Sequence, residues 1–577
     1  MKKSMKYKVL LIAIILIGGF VRVYNYDWGD GNFFHPDERN IAIAVSKLDF
    51  DSGDYNPDFF AYGSLPIYIL YYISKGDFGI TLLAGRIISA MISTLSLYII
   101  YKLSLLLLES VLDTSKRLKN KENTIENFSL LITALCAFSP GLIQFAHFTT
   151  FETFLTFEYL LYGLLSIHLL KNPSKKHYLF LSLITGFAIG TKIISLFLLA
   201  IFLLTHLFVV LKERTPEMNR LRFITRFPFK VLSFKLIFSL FVIVFTFLIT
   251  NPFIILDRTS FLGSLDYESS VARGTLSVFY TEQFLETIPF VYQFLYVFPS
   301  LVGWPFTVVG FTGSLYILIY SLRHGITFLF KNKRAVKLPL AVFLLIGLGY
   351  ALFHFYLYVK WSRYMVPLIP FLIIFGVITL LNLSYKFNKY ARWTIQSLLF
   401  AISVFTIVQG LNFFTIYLKP DPRLEAAKWL KEHSSEGDTY TGEVYDMGMT
   451  AFNAEVGSNN ITELDYYHID DGYTDQEEIS SINETISNAE YIILPAERIY
   501  PTRYRLKDKY PNGYSHYYEL FSGGMGFTKV GEFTRTTFLE DLFNIRFYNG
   551  GYFSPLNYDE TFRVFDQPTV TIFRKQT

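Results

Sequence analysis

The chain has 577 residues, of which 52% are hydrophobic, 18% aromatic and only 17% charged, a balance too apolar for a string of soluble domains. Its net charge of +4 conceals a division, because residues 1–417 carry 37 Lys and Arg against 22 Asp and Glu, while residues 418–577 carry 15 against 26. The one cysteine, Cys136 in an apolar stretch, excludes a disulfide framework, and no basic cluster is interleaved with aromatics as a nucleic-acid groove requires.

Met1 to Lys8 places four lysines before the apolar run Val9–Phe20, which has the layout of a signal peptide. No small-x-small site follows, so the run reads as a retained anchor and the first membrane span. Further stretches long enough to cross a ~30 Å hydrocarbon core lie at about 79–105, 128–147, 151–170, 177–192, 194–211, 233–250, 301–322, 338–357, 364–383 and 393–415, about eleven spans in all. With the N-terminus cytoplasmic, segments 1–8, 109–127, 171–177, 212–232, 323–337 and 384–392 hold 25 of the 37 basic residues and the alternate loops seven, the bias that sets orientation. The expectation is a multi-pass protein of the cell membrane. Loops 25–78 and 251–300 and the acidic region 418–577 then lie outside the cytoplasm, and 1–417 forms the membrane domain.

The region 418–577 is expected to be a small α/β or α+β domain, with a helix at Leu424–His433, strands at Tyr491–Leu494 and Lys529–Phe533, and a closing strand pair across Asp566-Gln567-Pro568. No fixed-period repeat marks a solenoid or propeller.

Loop 25–78 holds nine acidic residues against three basic ones, and within it stands Phe34-His35-Pro36-Asp37-Glu38-Arg39. Pro36 suits the first position of a helix, and Asp37 and Glu38 suit its positive end. One reading is a capped interfacial helix over Asp37–Leu48, with Ile41, Ala44, Val45 and Leu48 on the bilayer. The other is chemical: adjacent carboxylates repel, one pKa rises, and a group fit to accept a hydroxyl proton results. Arg363, Lys192 and Arg86, at ends of their spans on the same side, could hold an anionic phosphate at headgroup depth, although each alone could equally be a snorkelling side chain. Loop 251–300 reads as a partly amphipathic lid or as a plain connector.

These residues resemble the GT-C type membrane glycosyltransferases that depend on polyprenyl phosphate, in particular the protein O-mannosyltransferase and aminoarabinose-transferase-like group. The carriers are His35-Pro36-Asp37-Glu38, Gly63-Ser64-Leu65-Pro66-Ile67-Tyr68, Ala84-Gly85-Arg86-Ile87-Ile88-Ser89, Ser139-Pro140, His147-Phe148-Thr149-Thr150-Phe151-Glu152, Gly190-Thr191-Lys192, Asn251-Pro252-Phe253 and Arg363-Tyr364-Met365-Val366-Pro367-Leu368-Ile369-Pro370. The resemblance implies an inverting transfer of a sugar from a polyprenyl-phosphate donor to a hydroxyl on a protein, lipid or glycan. Asp37 would be the base and Glu38 would help orient the acceptor or stabilise the site. Arg363, Lys192 and Arg86 would neutralise the departing phosphate, and Tyr62 is a further site candidate. Where the family commonly has Asp in the turn between two spans, this chain has Glu152, one methylene longer. His35, His147, Glu152 and the carboxylate pair could form a site for a divalent metal, but nothing in the sequence fixes their distances, so the metal stays unknown.

An oligosaccharyltransferase-type enzyme would show Trp-Trp-Asp in its soluble region, where Trp429 is the only tryptophan. A secondary transporter would show repeated halves and ionisable groups at mid-membrane, and a scaffold would bind a partner through its tail without chemistry.

Overall fold

The computed structural model describes residues 2–112, 120–212, 227–331, 338–444, 448–465, 468–470, 476–544 and 560–576. Parts of segments 109–127, 212–232 and 323–337, expected to be cytoplasmic, therefore lie outside the described residues. Two units are distinguished: residues 1–24, 40–270 and 289–411, and residues 25–39, 271–288 and 412–577.

Long apolar runs make the first unit. Among the described residues, eight helices are long and apolar enough to cross a membrane, or nine if the bent pair Lys121–Ala137 and Pro140–His147 counts as one. That pair bends by 61°, because Pro140 has no N–H to continue the ladder and its ring crowds the preceding turn. The expected span 128–147 is thus two helices. Helix Lys2–Val23 has a short uncharged stretch, being headed by four lysines and closed by Arg22. Helix Lys175–Thr191 runs 17 residues and stops where Lys192 turns extended (φ −155°, ψ 125°), before the turn Ile193–Leu196 and helix Phe197–Lys212. Helix Phe78–Leu112, with 35 residues, is about 52 Å long at 1.5 Å per residue and exceeds the hydrocarbon thickness.

Small residues set the helix spacing. A Cβ on Gly313 would meet the Gly376 backbone at 2.9 Å, so helices Trp304–Lys331 and Ile369–Lys386 pack main chain to main chain, the arrangement that gives dispersion its largest return where lipid removes the hydrophobic drive. Arg22, fully buried, donates to Ser93 Oγ (2.8 Å) and to the carbonyls of Gly18, Ala137 and Cys136, joining three helices.

The second unit contains a five-stranded sheet in the order β2-β1-β3-β5-β4. Strand β1 (Tyr440–Glu443) runs parallel to β2 (Ile461–Leu464) and β3 (Tyr491–Leu494), whereas β5 (Thr569–Lys575) is antiparallel to β3 and to β4 (Phe527–Thr534). The run YIIL of β3 is buried at every position, as a central strand covered on both faces requires. Ile492 and Phe573 lie opposite each other in register and share a core with Ile482, Ile486, Tyr517 and Leu520 from helices Gln476–Asn488 and Pro511–Ser522. Helix Pro422–His433 starts on Asp421, whose side chain caps it. The expected closing strand pair is corrected: Asp566-Gln567-Pro568 joins helix Glu560–Arg563 to β5, and β5 finds its partners in β3 and β4.

Candidate functional site

Helix Pro36–Ser46 carries the carboxylate pair in its first turn. His35 sets its start: Nδ1 accepts the Asp37 backbone N–H at 3.2 Å, and its carbonyl accepts from Arg39 N. His35 and Glu38 are buried, and Asp37 is partly exposed. The apolar stripe Ile41, Ala44, Val45 and Leu48 does not lie open to lipid. It is buried against Ile67, Leu70, Tyr71 and Phe151, because helix Ser64–Ser74 offers an apolar face that a bilayer surface would otherwise have to supply.

In the first unit, segments distant in sequence close on one another. Gly63 N donates to Thr191 O (3.0 Å), Ser64 N to Asn251 Oδ1 (2.8 Å), and Asn251 Nδ2 to Gly190 O (3.2 Å). A Cβ on Gly63 would stand 1.7 Å from the Gly190 oxygen, so only glycine permits that approach. Likewise Gly85 lies against Thr149, whose hydroxyl donates to Leu82 O at 3.0 Å. Ser139 Oγ donates to Leu301 O at 2.8 Å.

Lys192, released from its helix by the extended turn, places its ammonium 3.6 Å from Glu152 Oε1, 4.6 Å from the Tyr364 ring and 5.1 Å from the Tyr62 ring. Arg363 lies over Trp361 at 4.4 Å and over Tyr364 at 5.3 Å. Lys192, Glu152, Tyr62, Tyr364 and Arg363 therefore form one cluster, in which two cations contact the ring of Tyr364 and Glu152 faces one of them, Lys192. Thr191, beside Lys192, donates to Glu158 Oε1 at 2.7 Å. Lys360, just before Trp361, is buried, and burial lowers its ammonium pKa to about 8.

Arg86 is fully buried on helix Phe78–Leu112. His147 has Nδ1 at 2.9 Å from Ile143 O and Nε2 at 3.0 Å from Tyr24 O, so both ring nitrogens face carbonyls. Glu152 faces Lys192 across 3.6 Å, and both of its buried carboxylate oxygens lack a hydrogen-bond partner among the described residues. Among the described residues no three His, Cys, Asp or Glu side chains gather as a metal set.

Sequence reasoning missed Glu158, Trp361 and the partnership of Tyr364 with both cations. The Arg-Tyr run was the one signal for the last of these. It also missed a buried network in the second unit, where Asp421 holds Arg423 through two bonds (2.8 and 2.7 Å).

No family model matches the chain, and no curated protein matches it. Among solved structures it is similar to the apo oligosaccharyltransferase of Archaeoglobus fulgidus, at 11% identity and TM-score 0.49 over 88% of this chain and 72% of that one. It is also similar to ArnT of Cupriavidus metallidurans bound to undecaprenyl phosphate, at 13% identity and TM-score 0.44 over 88% and 95%. A third is the S. cerevisiae protein O-mannosyltransferase Pmt1-Pmt2 complex bound to the sugar donor, at 15% identity and TM-score 0.31 over 44% and 34%.

Proposed function

We propose that the chain is a GT-C type membrane glycosyltransferase that moves a sugar from a polyprenyl-phosphate donor to a hydroxyl acceptor. The observation that carries this reading is the Lys192, Arg363 and Tyr364 cluster, which puts two cations from separate sequence motifs on one aromatic ring, beside Glu152. Asp37 takes the acceptor proton as the hydroxyl oxygen forms its bond to the anomeric carbon and the bond from that carbon to the phosphate oxygen breaks. The leaving phosphate keeps its electron pair, and Arg363 and Lys192 offset that charge in a site of low dielectric. Glu38 orients the acceptor. Phosphate is already an anion in the ground state, so fixed cations and a base suffice for the chemistry. The proposed orientation puts the N-terminus in the cytoplasm and residues 418–577 outside, following the distribution of basic residues.

The test is transfer of label by the purified protein in lipid from a panel of polyprenyl-phosphate monosaccharides, scored on lipid, protein and glycan acceptors. Consumption of a monosaccharide donor supports the reading. Use of a lipid-linked oligosaccharide alone, with transfer to asparagine, replaces it with an oligosaccharyltransferase-type activity, and failure with both donors contradicts it.

A further inference from the structure

The second unit joins residues 25–39 to the C-terminal region, and the chemistry of that union is specific. Arg535 is buried, and its guanidinium serves three carbonyl oxygens from three segments: Pro420 O at 2.9 Å, Asp566 O at 2.7 Å and Trp28 O at 3.0 Å. Arg423, also buried, lies 3.7 Å from the centre of the Phe34 ring while donating to Phe565 O at 2.5 Å. Asn25 Nδ2 donates to Tyr417 O at 2.9 Å, and the His35 ring packs 4.2 Å from Phe565. Trp28, Phe34 and His35 are all buried.

Two guanidiniums in a dry interior carry a desolvation cost that an apolar contact would avoid. Asp421 offsets it, with its two bonds to Arg423 and an oxygen 4.0 Å from Arg535 Nη1, and Asp566 completes the set through Tyr417 Oη at 2.5 Å. What the arrangement adds over apolar packing is direction. A planar fork with five donors fixes the segments it touches in angle as well as distance. The last clamped residues, Phe34 and His35, lead directly into Pro36-Asp37-Glu38.

We propose that Arg535 and Arg423 are positioning residues for the carboxylate pair. This rests on the reading of Asp37 as base. A loop bearing a base must be held to a fraction of an ångström, since a displacement of about 1 Å can cost on the order of a hundredfold in rate. The domain supplies that hold from buried groups.

The experiment pairs amide hydrogen exchange with donor kinetics on the full-length protein in lipid, for Arg535→Met, Phe34→Leu and Asp37→Asn. Exchange in residues 25–39 is expected to rise at least tenfold in the first two, with strands β3 and β5 and helix Glu152–Lys171 unchanged. In the same two variants kcat is expected to fall at least tenfold while the donor KM stays within twofold. Unchanged exchange in the loop overturns the proposal, as does loosening of β3 and β5 along with the loop, or a kcat within twofold of wild type. Should Arg535→Met fail to fold, Phe34→Leu decides, since it alters only the ring under Arg423 and its apolar neighbours. If Asp37→Asn keeps full turnover, the base assignment falls, and the exchange of residues 25–39 still decides whether the clamp exists.

Discussion

Lys192 and Glu152 face each other at 3.6 Å, and the ammonium is flanked by the rings of Tyr364 and Tyr62. Glu152 is the first residue of its helix, so the helix N-terminus also favours its negative form. Glu152→Gln keeps the shape and removes the counter-charge, leaving an ammonium without its carboxylate. The expected loss is roughly 3 kcal/mol of stability, and Lys192→Met combined with Glu152→Gln should lose less than the two single changes added. Thermal unfolding of the three variants in one detergent measures this coupling.

Arg363 is stacked as well as charged. Arg363→Ala is expected to raise the donor KM about ten- to thirtyfold, corresponding to ~1.4–2 kcal/mol. Arg363→Lys returns the charge without the flat face on Trp361 and Tyr364, so only part of the loss should be recovered. Titration of donor against initial rate separates the two variants, and equal values would remove the stacking from the explanation.

The approach of Gly63 to the Gly190 carbonyl leaves no room for a methyl group. Gly63→Ala is expected to abolish the folded protein or to destabilise it by several kcal/mol. Gly79→Ala is the control, because on helix Phe78–Leu112 its Cβ would have as nearest neighbour an Asp77 carboxylate oxygen at 3.6 Å, and it should be neutral or stabilising by about 0.5 kcal/mol. Monodisperse yield after extraction reads both.

His516 is buried, and burial lowers its pKa to about 3, against 6.5 for the free side chain. The unfolded chain therefore binds this proton before the folded one does. Stability from the neutral ring is full above about pH 6.5 and declines as pH falls toward 3. Cooling of the melting temperature between pH 7 and pH 4.5 is expected in the wild type and should be smaller in His516→Phe. Equal slopes would show that other groups govern acid sensitivity.

The start of helix Pro36–Ser46 was legible because Pro36, Asp37 and Glu38 satisfy the rules for a helix N-terminus within three residues. The stripe Ile41, Ala44, Val45 and Leu48 was legible as a face to be buried, but periodicity does not name the covering surface, and Ser64–Ser74 took the place expected of lipid. Strand β3 was read correctly from four consecutive apolar residues. The Lys192 cluster was only half visible: both cations sat in recognised runs, but their common ring becomes apparent only when the two runs fold together. Arg423 gave the least warning. In sequence it is one more charge near the start of a polar helix, and its burial depends on carbonyls of Val564 and Phe565 far along the chain.

The most direct measurement is single-turnover transfer from a polyprenyl-phosphate sugar to acceptor, comparing wild type with Asp37→Asn in the same lipid, with donor binding checked for both. Asp37→Asn keeps size and hydrogen-bonding capacity but cannot take a proton, so transfer by the wild type and a loss of at least a thousandfold in the variant, with donor still bound, is the expected result. Transfer by Asp37→Asn at a rate near that of the wild type would contradict the assignment of Asp37 as the base.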